Sequence, residues 1–212
     1  MLLVLLVALS LGAAFPLKDR VDTSYPVGCS RSLATFNVML GVITYHFYGP
    51  INSCMAADFG AFAAQLSPFH LTELTLYLNS PGGSFSDVLA ILDALRLLKQ
   101  SGTKIVIEAS GQVSGAALWV FAFADERWIA PEAAIYFERP YNVPQVGSWF
   151  RRRPDPASRI WVEILASGLD IPTDEAERLL NERAFFYGRD LVAKGWAKST
   201  ADRQVPGAPE SP

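Results

Sequence analysis

The spacing of apolar residues predicts one helix in the middle of the chain with particular clarity. Five apolar residues recur there at spacings of three and four, so they share one face of a helix. They are Val88, Ile91, Leu92, Leu95 and Leu98, and Gly102 follows as the predicted end of the helix. A second segment, residues 114–124, is apolar without any charge, which is typical of a helix covered by protein on all sides.

Strands and helices alternate along the rest of the chain. Apolar and β-branched runs predict strands at residues 38–48, 71–78, 104–109, 127–130 and 134–138. Further helices are predicted from Asn52 or Ser53 to about Leu66, over 160–167, and from Thr173, as the cap, to Phe186. This alternation predicts the α/β class with a largely parallel sheet.

The two ends of the chain differ in character from the middle. Residues 2–15 are almost entirely apolar but too short to cross a bilayer, which takes about 20 residues, and they resemble a cleaved export signal. We expect a signal segment at 1–15, a leader at 16–37, one domain at 38–203 and a disordered tail at 204–212. The protein is then periplasmic or extracellular, or membrane-anchored through this segment; if the segment is not a signal, the protein is cytoplasmic.

Composition narrows the choice of function. Of the 212 residues 50% are apolar, which is enough for one large core. A net charge of -3 gives no attraction for nucleic acid, and the basic run at 151–153 is expected in a solvated loop. Two histidines make a zinc site improbable, and no metal or cofactor is expected. Cys29 and Cys54 either pair in an oxidising compartment or stay free thiols.

Two glycine-rich turns at strand–helix junctions supply the candidate chemistry. The turn Asn79–Gly83 permits positive φ and leaves N–H groups uncovered near a helix N-terminus, where they can stabilise an oxyanion. The segment Ser110–Ala117 places small residues at the next junction, where a substrate backbone and the first glycine-rich turn can both approach closely. A plain tight turn and dense helix–sheet packing are the structural alternatives for these two segments.

Several motifs occur in the order found in the Clp protease family, and the chain resembles that family over about residues 41–199. The motifs are Pro81-Gly82-Gly83, Gly111-Gln112 with Ala117, Arg127, and Pro131, with Gly49-Pro50-Ile51-Asn52 before them and Glu177-Arg178 after them. The resemblance implies a Clp protease/crotonase-like spiral of strands and helices in a single domain, with a helical C-terminal part.

The resemblance also assigns the positions of the family's Ser-His-Asp triad. Gly115 stands at the position of the nucleophile, Glu138 at that of the general base, and Leu179 at that of the aspartate. All three positions are therefore substituted in this interpretation. Ser114 is the alternative nucleophile, although one residue along a helix turns a side chain by about 100°. The other reading of Ser114 is a helix cap.

These residues leave three functions open. The leading hypothesis is a catalytically impaired Clp-protease-like protein that acts by peptide binding or assembly, with Gly82, Gly83 and Ala116 as the retained oxyanion and substrate backbone. The alternative is an active serine-type endopeptidase that uses Ser114 with that oxyanion hole. A weaker alternative is crotonase-like acyl chemistry with Glu138 as the acid–base group. Whether the chain is an enzyme stays open at this point.

The expected partners follow from the same reasoning. A peptide or an unfolded polypeptide is the expected ligand, and nucleic acid is not expected. Members of the resembled group form rings or stacks, so the resemblance implies a homo-oligomer. The apolar helix and the large aromatic residues Trp149, Phe150 and Trp161 are candidates for its interface, since such surfaces must be covered. Membrane association would run through the N-terminal segment.

Overall fold

Parallel strands that alternate with helices make up most of the structure. A computed structural model of the chain describes residues 34–37, 42–66, 71–138 and 156–203. Its strands are β1 (Ala34–Asn37), β2 (Val42–Tyr48), β3 (Glu73–Ser80), β4 (Lys104–Ser114), β5 (Glu126–Ile129), β6 (Ala134–Tyr136), β7 (Phe185–Tyr187) and β8 (Lys198–Ser199). Its helices are α1 (Ser53–Leu66), α2 (Phe85–Gln100), α3 (Ala116–Ala122), α4 (Pro156–Leu169), α5 (Thr173–Asn181) and α6 (Gly188–Ala193), followed by a 3-10 turn at Thr200–Asp202.

The described strands join in one mixed sheet. Its main path has the order β1-β2-β3-β4-β5-β8, in which β1 is antiparallel to β2 and all later neighbours are parallel. Strand β6 lies off this path, parallel to the end of β4 and antiparallel to β7. A largely parallel sheet alternating with helices confirms the predicted α/β class.

Strand β4 changes its partner along its length. Its first half pairs with β5, whereas its last residues, Gln112–Ser114, pair with β6. Leu78 of β3 lies opposite Ala109, but Ser80 lies opposite Val113, so extra residues on β4 form a bulge. A bulge bends a strand and redirects its end. The sequence predicted that this strand stops at Ala109; it continues through the bulge to Ser114.

One face of the sheet carries the hydrophobic core. Alternate residues on the three central strands are at most 6% exposed and pack under the helices: Ile43, Tyr45 and Phe47, then Leu74, Leu76 and Leu78, then Ile105, Ile107 and Ala109. The five apolar residues of the helix predicted from its spacing are all buried in α2, which confirms that prediction.

Helix α3 is covered by this chain itself. Every one of its residues is buried, as expected for a helix that is apolar on all sides. Helix α4 packs closely on it, because a Cβ at Gly168 would lie 2.2 Å from the carbonyl oxygen of Ala122. Trp161 on α4 is 2% exposed. The expectation that α3 and Trp161 supply an oligomer interface is therefore wrong, since both are already buried within one chain.

Helix α5 is shorter than the predicted helix from Thr173 to Phe186. It ends at Asn181, and strand β7 begins at Phe185. Arg183, in between, has a φ of 52°, outside the helical region, which ends the helix. The predicted cap, Thr173, is instead the first helical residue, after Pro172 at the cap position.

Helix α1 starts as predicted. The Asn52 side-chain oxygen accepts a hydrogen bond from the Met55 N–H at 3.0 Å, which makes Asn52 the cap of this helix.

Several predictions concern residues outside those described. These are the signal segment at 1–15, most of the leader at 16–37, the basic run at 151–153, Trp149, Phe150 and the tail at 204–212. The last four leader residues form β1. Cys54 is disulfide-bonded, and Cys29, the only other cysteine of the sequence, lies outside the described residues. Within the described ranges no helix has the length and apolar character needed to cross a membrane.

Candidate functional site

Ile51 holds Gly83 of the first glycine-rich turn as in a short pair of parallel strands. The Ile51 N–H donates to the carbonyl oxygen of Gly82 at 2.9 Å, and the Ser84 N–H donates to the carbonyl oxygen of Ile51 at 3.0 Å. Gly83 lies between these bonds in a parallel bridge with Ile51. In such a bridge the N–H and C=O of the central residue point away from the partner strand. Gly83 is exposed, so its backbone faces outward, and no described residue bonds to it.

Glycine is needed at positions 82 and 83 for steric reasons. A Cβ at Gly83 would lie 1.9 Å from the carbonyl oxygen of Ile51. Gly82 has a φ of +92°, and a Cβ there would lie 2.5 Å from the carbonyl oxygen of Ser114 and 2.9 Å from the Ala116 nitrogen. The turn therefore lies directly against the junction between β4 and α3, as the two glycine-rich motifs suggested.

Two polar side chains of β3 fix this arrangement, and neither was predicted from the sequence. The hydroxyl of Ser80, which is 0% exposed, accepts a hydrogen bond from the Gly82 N–H at 3.1 Å. The side-chain oxygen of Asn79 accepts one from the Gln112 N–H at 3.0 Å, at the bulge of β4. The available signal was two adjacent polar residues that break the alternation of the strand at its end.

The hydroxyl of Ser114 is turned into the protein. Ser114 is 3% exposed, and its hydroxyl donates to the carbonyl oxygen of Pro81 at 2.8 Å. The same oxygen accepts from the side-chain amide of Gln112 at 3.1 Å. The reading of Ser114 as a helix cap is wrong, because Gly115 occupies the cap position and no side chain caps α3.

Gly115 occupies the position where β4 turns into α3. Its φ of 48° and ψ of -128° lie in a region that favours glycine. A Cβ there would lie 3.8 Å from both the Gly82 Cα and the Pro81 carbonyl oxygen, which is ordinary van der Waals contact. The space beside Gly115 thus admits a small side chain, at the cost of backbone strain.

Glu138 follows strand β6 at the same end of the sheet. The register pairs Ser114 with Tyr136, so Glu138 comes two residues beyond the partner of Ser114, beside the start of α3. Its side chain is half-buried, and its N–H donates to the carbonyl oxygen of Tyr136 at 3.2 Å. The hydrogen bonds of the Ser114 hydroxyl go to Pro81 and Gln112, not to the Glu138 carboxylate.

The backbone of Leu179, and not its side chain, is connected to the segment around Glu138. Its carbonyl oxygen accepts from the Ala184 N–H at 3.0 Å, and the Ala184 carbonyl oxygen accepts from the Phe137 N–H at 2.9 Å. Phe137 directly precedes Glu138, so α5 ends close to that residue. The Leu179 side chain, however, is 2% exposed and belongs to the hydrophobic core.

The two predicted oxyanion donors differ in exposure. Gly83 is exposed, whereas Ala116 is 1% exposed. The Ala116 N–H opens helix α3 and has no acceptor inside the helix. A ligand at the surface can therefore reach the Gly83 N–H, whereas the Ala116 N–H is buried.

Among the described residues, no group of three or more His, Cys, Asp or Glu side chains could hold a metal ion.

These features define an α/β protein in which a glycine-rich turn packs against the start of a helix. The sequence matches the Clp protease family over residues 30–148. The chain belongs to the Clp protease family.

Relatives and a solved structure agree with this assignment. The chain is 31% identical over 70 residues to the ATP-dependent Clp protease proteolytic subunit 1 of Rhodococcus jostii, covering 32% of this chain and 30% of that protein. It is 27% identical over 115 residues to the ATP-dependent Clp protease proteolytic subunit of Carsonella ruddii, covering 54% and 59%. The matches thus span less than two thirds of either relative.

The fold has a solved counterpart in the crystal structure of the ClpP protease catalytic domain from Plasmodium falciparum. The TM-score is 0.60 at 18% identity, with 78% of this chain and 87% of that chain covered. At this identity the likeness shows the fold, and it confirms the predicted Clp-protease-like architecture.

Proposed function

We propose that this chain binds extended peptides at the Gly83 turn and does not cleave them. One observation carries the proposal: the hydroxyl of Ser114 donates its single hydrogen to the Pro81 carbonyl oxygen at 2.8 Å. A serine becomes a useful nucleophile only when a neighbouring base takes that hydrogen. A carbonyl oxygen cannot take it, and the next residue, Gly115, has no side chain.

The exposed backbone of Gly83 supports the binding half of the proposal. An extended peptide beside Gly83 can accept from its N–H and donate to its C=O, as in strand addition to a sheet edge. Each such bond contributes about 1 kcal/mol net, which is roughly a fivefold change in affinity. Ile51 already holds Gly83 extended, so little ordering cost falls on the protein when the peptide binds.

Peptide binding and cleavage are separated by two measurements on the purified protein. Fluorescence anisotropy with a library of labelled extended peptides should detect binding, and methylation of one peptide amide nitrogen should weaken it. Mass spectrometry of the same mixtures should find the peptides intact. Glu138→Ala should leave the affinity unchanged. If no member of the library binds, the proposal fails.

A fluorophosphonate probe addresses the alternative of an active serine peptidase that uses Ser114. We expect no label on the wild type. Label that disappears in Ser114→Ala would overturn the non-cleaving reading. Crotonase-like chemistry predicts a third result, hydrolysis or isomerisation of an acyl thioester that is lost in Glu138→Ala.

Assembly and location form further parts of the proposal. Two relatives are described as proteolytic subunits, which suggests that this chain also forms a homo-oligomer. Light scattering behind size exclusion would give the subunit number, and a monomer at micromolar concentration would contradict this part.

We also propose export, because a disulfide at Cys54 suits an oxidising compartment. Cell fractionation with mass analysis of the mature N-terminus distinguishes a cleaved signal, a membrane anchor and a cytoplasmic chain.

A further inference from the structure

Three aromatic side chains run from the Gly83 turn into the core, and we call Phe85, Trp161 and Trp119 the aromatic row. Phe85 opens helix α2, two residues after Gly83, and is half-buried. Its ring meets that of Trp161 edge to face, with centroids 4.4 Å apart. Trp161 meets Trp119 in the same way at 5.0 Å. The row therefore links the exposed turn to the buried interior.

The two tryptophans of the row differ in their hydrogen bonding. The indole N–H of Trp119 donates to the backbone carbonyl oxygen of Trp161 at 3.0 Å. The indole N–H of Trp161 is buried, and no residue of the described ranges accepts a hydrogen bond from it. A buried donor without an acceptor is destabilising and rare in folded proteins. It is therefore a candidate for a bond that a ligand completes.

We infer that Trp161 selects the peptide, through a hydrogen bond from its indole N–H to the side-chain amide oxygen of an asparagine or glutamine that packs on Phe85. This inference rests on the peptide-binding function proposed above. Phe85 is half-buried and lies two residues after Gly83, so a ligand residue beside Gly83 can pack on its ring. Trp161 is 2% exposed and contacts that ring, so the ligand amide reaches its N–H when the Phe85 ring moves aside.

The chemistry of the acceptor favours a neutral amide. A carboxylate would have to give up its hydration for one neutral donor, which is unfavourable in a buried site. An aliphatic side chain of the same shape would leave the N–H without a partner. We therefore expect roughly tenfold tighter binding of a peptide with asparagine than of the same peptide with leucine, as for one buried hydrogen bond.

The test compares matched peptides and matched variants. Asparagine/leucine and glutamine/methionine peptide pairs are titrated against the wild type, Trp161→Phe and Trp119→Phe. Both substitutions remove one indole N–H and keep an aromatic ring. Trp161→Phe should reduce the preference for the amide to twofold or less, with the affinity for the leucine peptide unchanged. Trp119→Phe should keep the preference.

The outcomes separate this inference from the function on which it rests. If no peptide binds the wild type, the proposed function fails. If asparagine and leucine peptides bind equally, or if Trp161→Phe keeps the preference, only the selectivity inference is overturned. Should Trp161→Phe fail to fold, the five tryptophans of the wild type can be followed by ¹⁵N NMR. One indole N–H must then shift on adding the asparagine peptide and not the leucine peptide, and its absence would overturn the inference.

Discussion

Replacing Gly83 by alanine tests the contact on which the candidate site depends. The new Cβ would lie 1.9 Å from the Ile51 carbonyl oxygen, so one of the two backbones has to move. That movement removes the hydrogen bonds from Ile51 to Gly82 and from Ser84 to Ile51. Each contributes about 1 kcal/mol, and the forced backbone shift adds about 1–3 kcal/mol. We expect the free energy of unfolding to fall by about 4 kcal/mol.

Gly60→Ala is the matched control for this substitution. Gly60 lies within α1, and a Cβ there meets nothing within 4 Å. It should therefore raise the free energy of unfolding by about 0.5–1 kcal/mol through helix propensity. Urea denaturation of both variants measures the difference. If Gly83→Ala unfolds within 1 kcal/mol of the wild type and binds peptide equally well, the turn is not held against Ile51 and the reasoning is refuted.

Three further substitutions probe the site and two ion-pair clusters elsewhere on the sheet. Ser114→Ala should lower the free energy of unfolding by about 1 kcal/mol, since the Pro81 carbonyl loses its donor and the Gln112 amide loses its acceptor, and urea denaturation measures this. Hydrogen bonds from Lys104 and Lys198 lower the pKa of Glu126 from 4.5 to about 2. Because the folded pKa is depressed, this contribution is complete above pH 4.5 and disappears as the pH falls towards 2. Glu126→Gln should therefore be about 1 kcal/mol less stable than the wild type at pH 7 and equally stable near pH 2. The effect is this small because both lysines are half exposed to solvent. An equal difference in stability at both pH values would contradict the ion pairs. Arg203→Ala removes the partner of Glu108 and should lower the free energy of unfolding by about 2 kcal/mol, which appears as a lower midpoint of thermal unfolding. An unchanged midpoint would mean that this pair contributes nothing.

The sequence predicted α2 well because its burial follows the helical period alone. The course of β4 could not be predicted in the same way. Its bulge depends on the Asn79 side chain, which binds the backbone of Gln112 from 33 residues away. Small residues after Ala109 look like a loop until that contact is known. A pattern in neighbouring residues thus predicts a helix or strand that those residues determine, but not one that depends on a contact with a distant residue.

The candidate site divides along the same line. The motifs predicted that the Gly83 turn and the segment around Gly115 meet, and the steric contact of Gly82 with Ala116 agrees with this. The direction of the Ser114 hydroxyl could not be predicted, because its acceptor, the Pro81 carbonyl, belongs to another turn of the chain. The end of α5 was also not predicted. The helical spacing of apolar residues continues past Arg183, but the backbone of Arg183 leaves the helical conformation.

The bulge in β4 also determines how this site tolerates insertions and deletions. Side chains alternate between the two faces of a strand, so removing one residue from the bulge would reverse the facing of every residue after it. Val113 and Ser114, both buried, would exchange faces: the valine would leave its place in the hydrophobic core, and the serine hydroxyl would lose the Pro81 carbonyl. A single-codon deletion there would therefore reorganise the site more than most substitutions.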